Sequence, residues 1–230
     1  PLFEVVHLEI PAAGHSRSAL SRYAVTLKKV RLGDNVLVAQ RAYLENARLG
    51  SGSNAQESCY IINSHLEGLN VTAHGGKVVN AKLGLKVFVG FNSFLHGAPD
   101  CPLTIGAHSI VMPHTIVDLQ EPLDIPSRHL VWGLIRNRRD LESHSLPLSK
   151  LAQHQGVLQI GRMRFTGQGR NFVEGFRHRI DHILEANGAY YDGKGIRGHA
   201  QKGQNISFNI IQPYTRGPLR GLYPTIDIQP

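Results

Sequence analysis

Apolar residues recur between residues 32 and 117 with a period that fits neither a helix nor an alternating strand. Four leucines stand 17 residues apart, and the positions six and twelve residues after each leucine are mostly apolar too. After an insertion of five residues the pattern resumes at Ile105. Thirteen of the fifteen positions are Leu, Ile or Val, types that make up only 59 of the 230 residues. These positions are termed the apolar ladder: Leu32, Val38, Leu44, Leu49, Ala55, Ile61, Leu66, Thr72, Val78, Leu83, Val89, Leu95, Ile105, Val111 and Val117.

A repeat with one inward aliphatic residue about every six positions predicts a coil with three short, extended sides. Coils of this kind stack so that their backbones pair as parallel strands. A glycine follows the aliphatic corner in several coils, and we attribute it to backbone angles that a tight corner demands and other residues resist. The prediction is an all-β fold with a C-terminal helix, built on a parallel β-helix of about five coils. The ladder is expected to end at Val117, followed by an exit pair of strands.

The pattern divides the chain into four predicted segments. They are a lead-in strand at 1–31, the β-helix at 32–135, a connecting segment with an amphipathic helix at 136–188, and an extended basic arm rich in Gly and Pro at 189–230. The insertion at 97–101 is expected to bulge out as a loop. The helix is predicted over 171–186, where one face carries apolar residues at helical spacing: Phe172, Val173, Phe176, Ile180, Ile183 and Leu184.

Composition and charge indicate the class of protein, its expected location and its expected partners. The apolar fraction of 41% and the charged fraction of 18% are typical of soluble globular proteins, and no apolar run is long enough to span a membrane. With two cysteines, Cys59 and Cys101, we expect reduced thiols and a cytoplasmic location. Net charge is +8, of which +7 falls from Arg136 onward. The basic arm is therefore expected to meet an anionic partner such as nucleic acid, or to join a larger protein assembly.

The three-sided coil and the phrase Ile-Pro-Ser-Arg-His-Leu-Val-Trp-Gly at 125–133 together resemble the hexapeptide-repeat, left-handed parallel β-helix superfamily. The resemblance implies a left-handed coil, although crossovers between parallel strands are usually right-handed. It also implies a homotrimer whose functional sites lie between subunits. It covers about residues 32–135, under half of the chain.

Within that superfamily the chain is most similar to the γ-class carbonic anhydrases. Arg41 is followed thirteen residues later by Asn54, and Gln56 follows in the same coil. The resemblance implies that Arg41, Asn54 and Gln56 are the catalytic residues near a subunit interface.

The metal ligands of that family are only partly present. In register, its three histidine positions fall on Ile62, His74 and Val79, and a second histidine, His96, stands one coil further on. A catalytic zinc needs three protein ligands, which Ile and Val cannot supply. His74 and His96 are thus an incomplete set, and zinc would require a third group from His65, Glu57 or Asp118. We therefore expect no bound cofactor and favour a carbonic-anhydrase-like scaffold or assembly subunit with a lost or altered metal site.

Two other functions stay open at this point. The chain could be an enzyme, either a metal-dependent hydratase (a lyase) with relocated ligands or a hexapeptide acyltransferase with a histidine base. The histidines in the coils that could serve as the base are His74, His96, His108 and His114. Alternatively, the basic arm could make the chain an anion-binding or nucleic-acid-binding module.

Overall fold

A computed structural model describes the backbone of residues 25–160 and 163–186 and of five short strands outside those ranges. Those strands are Phe3–Val5, Leu8–Glu9, Ala19–Leu20, Ala189–Tyr191 and Ile196–Gly198. Side chains are described for residues 25–157, 159–160 and 169–183. Most of the basic arm, and the predictions made for it, lie outside the described residues, as does the side chain of Leu184.

Each turn of the coil contributes a strand to three parallel faces, termed A, B and C. Val25–Leu32 and Tyr43–Leu49 each run through face C and then face A. Face A continues with His65–Leu66, Ala81–Leu83, Leu103–Ile105 and Leu123–Ile125. Face B contains Ala19–Leu20, Leu37–Val38, Asn54–Ala55, Val71–Thr72, Phe88–Val89, Ile110–Val111 and His129–Val131, with Ser145–Pro147 added antiparallel. Face C continues with Tyr60–Ile62, Lys77–Val79, Phe94–His96, Ile116–Asp118 and Leu134–Ile135.

The apolar ladder is the core of this solenoid. All fifteen side chains point inward and are at most 2% exposed. Ladder residues pair directly with their counterparts in the next coil, as in Leu32–Leu49 and Leu49–Leu66, so the period of 17 is also the strand register. Across the insertion the register is kept, since Leu83 pairs with Ile105. The predicted β-helix is confirmed.

The stack of coils extends beyond the ladder at both ends. Leu27 is buried and pairs with Leu44, and Ile125 and Val131 pair with Ile105 and Val111. The solenoid therefore has about six turns, and the expected end at Val117 was too early. The reason is spacing: Ile125, the partner of Ile105, comes eight residues after Val117 instead of the usual five.

The glycines after the aliphatic corners have a different cause from the one predicted. None of Gly33, Gly50, Gly84 and Gly106 has a positive φ; at those corners the left-handed conformation falls on residues such as Asn35 and Lys86. Instead, the next coil passes too close for a side chain. A Cβ on Gly50 would stand 1.7 Å from the carbonyl oxygen of Glu67. Glycine is needed here because backbones approach closely.

The C-terminal helix covers face B. It spans Gly169–Ala186, two residues longer at its start than predicted. Its buried residues pack on outward-facing apolar side chains of face B, and the rings of Phe88 and Phe176 meet edge to face at 5.5 Å. Lys86 and Asp181 form an ion pair across the same contact. Face B is thus a second core rather than a free surface.

Shorter elements complete the described chain. The helices Arg138–Ser143 and Leu148–Gln153 follow the last coil, and the strands Gln155–Ile160 and Met163–Gln168 form a hairpin before the long helix. Ala189–Tyr191 and Ile196–Gly198 form another hairpin. The insertion is a tight loop closed by an antiparallel bridge between Ala98 and Cys101, as expected. Among the described residues, no helix has the length and apolar character needed to cross a membrane.

Candidate functional site

The corner between faces B and C brings together predicted residues from three successive coils. Arg41, Ser58 and Gly75 turn this corner with positive φ angles of 58°, 58° and 68°. The residues just before two of these turns, Glu57 and His74, are therefore neighbours along the solenoid axis. The Gly75 amide donates to the Glu57 carbonyl at 2.9 Å, which holds the two coils in this register.

Glu57 and His74 form a close pair, with 2.5 Å between Glu57 Oε2 and His74 Nδ1. Their side chains are 13% and 28% exposed. Burial alone would raise the pKa of Glu57, but the hydrogen bond and charge of His74, helped by Arg41, outweigh it and lower that pKa. Glu57 is thus a carboxylate near neutral pH. It fixes the proton on Nδ1 and assigns any base function to Nε2, which is itself buried.

Asn54 and Gln56 are both buried, and they lie in different places. Gln56 precedes Glu57 at the corner. The side chain of Asn54 points outward on face B, opposite to the inward Ala55, and is covered there. Neither its amide nitrogen nor its amide oxygen has a hydrogen-bond partner among the described residues. Arg41 thus lies close enough to Glu57 to lower its pKa, whereas Asn54 makes no described side-chain hydrogen bond; the predicted catalytic roles of Arg41, Asn54 and Gln56 remain predictions.

The two histidines proposed as metal ligands lie at opposite edges of face C. His96 pairs in register with Val79, at the far end of the strand that follows the His74 corner. Its Nδ1 is 2.9 Å from Asp118 Oδ1, and its ring stacks on Phe94. Ile62 and Val79 are direct neighbours on this face. Within the described residues no three His, Cys, Asp or Glu side chains converge to form the donor set of a zinc site.

The remaining candidate histidines have different surroundings. His114 lies at the same corner as His74, two coils further on, where its ring meets Phe91 edge to face at 5.0 Å. His108 is half-buried, and its pKa is lowered by that burial first and by the nearby charge of Lys86 second. His65 is exposed on face A. His74 and His96 each have a carboxylate partner and are partly buried, but Glu57 beside His74 is 13% exposed, whereas Asp118 beside His96 is 58% exposed.

Face C carries exposed apolar side chains between these edges. Tyr60, Ile116 and Leu134 are 42%, 43% and 43% exposed. The rings of Tyr43 and Tyr60 stack at 5.7 Å, and Lys77 lies over the Tyr60 ring. The His74 corner thus borders an apolar surface that the described part of the chain leaves uncovered.

A groove at the edge between faces C and A was missed by sequence reasoning. This groove is termed the basic groove, because five of its lining residues are basic: Lys29, Arg31, Arg48, His65 and Lys82. The signal is in the sequence, because the residue before each of the four periodic leucines is basic: Arg31, Arg48, His65 and Lys82. The net charge of residues 1–135 is only +1, so it does not reveal this local concentration of basic residues.

A solved structure from Desulfovibrio desulfuricans G20, of a protein named "putative acetyltransferase", is 51% identical with a TM-score of 0.72. The match covers 95% of this chain and 47% of that chain, so this chain spans about half of that protein. A structure of the same description from Bacillus cereus is 12% identical over 78% of this chain and 89% of its own, and its TM-score of 0.22 supports no inference. No family model and no curated protein matches the chain.

Proposed function

We propose that this chain, a hexapeptide-repeat parallel β-helix protein, is an acyltransferase that uses His74 as its general base. It would move an acyl group from a thioester such as acetyl-CoA to a hydroxyl or amine. The observation that carries the proposal is the His74–Glu57 pair, a histidine oriented by a partly buried carboxylate. The 51% identity to a protein named as an acetyltransferase supports the same reaction class.

The chemistry follows from the orientation of the imidazole. Nε2 is covered in the single chain, so the corner must open to admit the acceptor. Nε2 then takes the proton from the acceptor hydroxyl or amine while the acceptor oxygen or nitrogen attacks the thioester carbonyl carbon. The tetrahedral intermediate collapses, the carbon–sulfur bond breaks, and His74 Nε2 returns its proton to the departing thiolate. Glu57 stabilises the imidazolium between these steps. A positioned general base contributes about 10²–10⁴-fold to such a reaction.

Face C is proposed as the contact surface between three copies of the chain. The superfamily resemblance implies a homotrimer, and the exposed Tyr60, Ile116 and Leu134 give this face the apolar character of a stable interface. Because the His74 corner borders face C, a neighbouring copy would complete the substrate pocket there. A left-handed coil is proposed on the same resemblance.

A carbonic-anhydrase-like assembly subunit is the second candidate. Ile62 and Val79, which occupy two positions of the resembled metal site, are neighbours in register on face C. An aliphatic pair there favours a protein that has lost metal-dependent hydration. In that case the Glu57–His74 pair would only stabilise the corner.

Thioester turnover separates the two candidates. The full chain is incubated with acetyl-CoA and a panel of amino sugars, amines and alcohols, and released thiol is measured. Acceptor-dependent release is expected, with a loss of about 10²–10⁴-fold in His74→Ala. His178→Ala, on the exposed side of the C-terminal helix, is the matched control and should keep full activity. Equal rates in His74→Ala and wild type would overturn the proposal, as would absence of both turnover and acetyl-CoA binding by calorimetry.

A further inference from the structure

The basic groove repeats one side-chain chemistry over four coils. Arg31 pairs in register with Arg48, Arg48 with His65, and His65 with Lys82. Adjacent strands are about 4.8 Å apart, so these groups form a row about 14 Å long. Like charges placed directly opposite on neighbouring strands repel and destabilise a sheet. Nothing in the packing of the core requires the row, because the inward residues are the leucines beside it.

The described lining of the groove contains no carboxylate. Glu9 pairs in register with Arg31 at one end of the row, whereas no carboxylate in the described strands pairs in register with Arg48, His65 or Lys82. Next to the row, Asn46, Asn63 and Asn80 form a ladder of their own, with amide-to-amide hydrogen bonds of 3.0 and 3.1 Å. The groove thus presents a rigid polar floor beside a strip of positive charge.

The insertion limits the length of the groove. Pro99 and Pro102 line it, and the chain returns to the stack where the Leu103 amide donates to the Asn80 carbonyl at 3.1 Å. The row of basic residues ends at Lys82, because the next position in register is Thr104, on the strand that follows the insertion. The groove has a volume of about 910 Å³, within the range of small-molecule sites. The exposed Pro99 and Pro102 give one wall an apolar surface that suits an organic group.

We propose that the basic groove binds a small organic ligand that carries two or more phosphate groups. Several cations in a row match several anionic groups on one ligand, and Arg is well suited to bidentate phosphate contacts. The apolar walls would contact the organic part. A row of basic residues about 14 Å long meets few phosphates of a nucleic acid, whereas nucleic-acid binding usually rests on many phosphate contacts.

This site is separate from His74. The two lie at opposite edges of face C, and ligand binding in the groove does not depend on acyl transfer. If the thioester substrate itself supplies the phosphates, acetyl-CoA will compete with other phosphorylated ligands for the groove. If it does not, the groove serves a second ligand.

The test measures binding by calorimetry to the full chain. The probes are ADP, pyrophosphate, acetyl-CoA and a single-stranded oligonucleotide of 20 nucleotides. The variant Arg48→Gln/Lys82→Gln removes two cations of the row. Arg139→Gln/Lys150→Gln, at exposed positions outside the groove, removes the same net charge and is the matched control. Circular dichroism establishes that both variants are folded.

ADP is expected to bind wild type and the control variant with similar affinity. The groove variant should bind about tenfold more weakly for each cation removed, because a hydrogen bond to a charged group contributes about that factor. Competition by acetyl-CoA would assign the phosphates to the acyl donor, and lack of competition would assign them to another ligand; either supports the site. Equal ADP affinity in both variants, no binding of ADP or pyrophosphate, or binding of the oligonucleotide alone would overturn it.

Discussion

Glu57 Oε2 lies 2.5 Å from His74 Nδ1, although the two residues are 17 positions apart in the chain. The contact exists because one turn of the coil returns the backbone to the same corner. It places a partly buried carboxylate behind an imidazole at the border of an apolar face. That arrangement is the physical basis for the acyl-transfer proposal.

The Glu57–His74 pair should make stability depend on pH. The folded-state pKa of Glu57 lies below its ordinary value, so the pair stabilises the fold above that ordinary value and the contribution is lost as pH falls through the folded pKa. Denaturant unfolding between pH 3 and 7 should show that Glu57→Gln costs about 1–3 kcal/mol near pH 7 and much less at pH 3. Glu142→Gln, at an exposed position, should show no such cost. A cost that is the same at both pH values would contradict this.

Gly50 should not tolerate a side chain. In Gly50→Ala the new Cβ would clash with the Glu67 carbonyl, so the coils must separate locally. We expect a loss of about 2–3 kcal/mol in unfolding free energy, measured by urea titration. Gly175→Ala is the matched control, since a Cβ there meets nothing within 4 Å and a helical alanine should stabilise by up to about 1 kcal/mol. Equal effects of the two changes would show that close approach is not the reason for Gly50.

Charge on face C should dissociate the proposed trimer without unfolding the chain. Ile116→Lys and Leu134→Lys place a cation at half-exposed positions, so each monomer can keep its core. Light scattering should give three times the mass of one chain for wild type and a smaller mass for the variants. Val157→Lys, at another exposed apolar position, should leave the mass unchanged. A wild-type protein that is monomeric at micromolar concentration would refute the interface.

Without ligand, the basic groove should be a source of repulsion. Arg48→Gln/Lys82→Gln is expected to unfold at the same or a higher temperature than wild type, by a few degrees at low salt, because like-charged cross-strand neighbours cost about 0.2–1 kcal/mol. Added salt should reduce the difference, since it screens exposed charges. A variant that is less stable than wild type at low salt would show that these side chains hold the solenoid together instead.

The C-terminal helix shows which features a hydrophobic pattern can predict and which it cannot. Apolar residues at helical spacing indicated the helix and its buried face, and the structure confirmed both apart from the first two residues. The surface that receives it was not predicted. Phe88 and Ile110 come directly before ladder residues, and their contact with the helix depends on where the chain goes 60 or more residues later.

The sequence by itself determined the coil, its register and its core. An inward position on each side must be apolar in every turn, and this constraint repeats along the chain every 17 residues. Outward positions carry no such constraint, so only the tertiary structure decided which of them meet. It joined Glu57 to His74, separated His74 from His96 and aligned Arg48 with Lys82 through His65. Chemistry on this solenoid therefore depends on neighbours along its axis, which are distant in sequence.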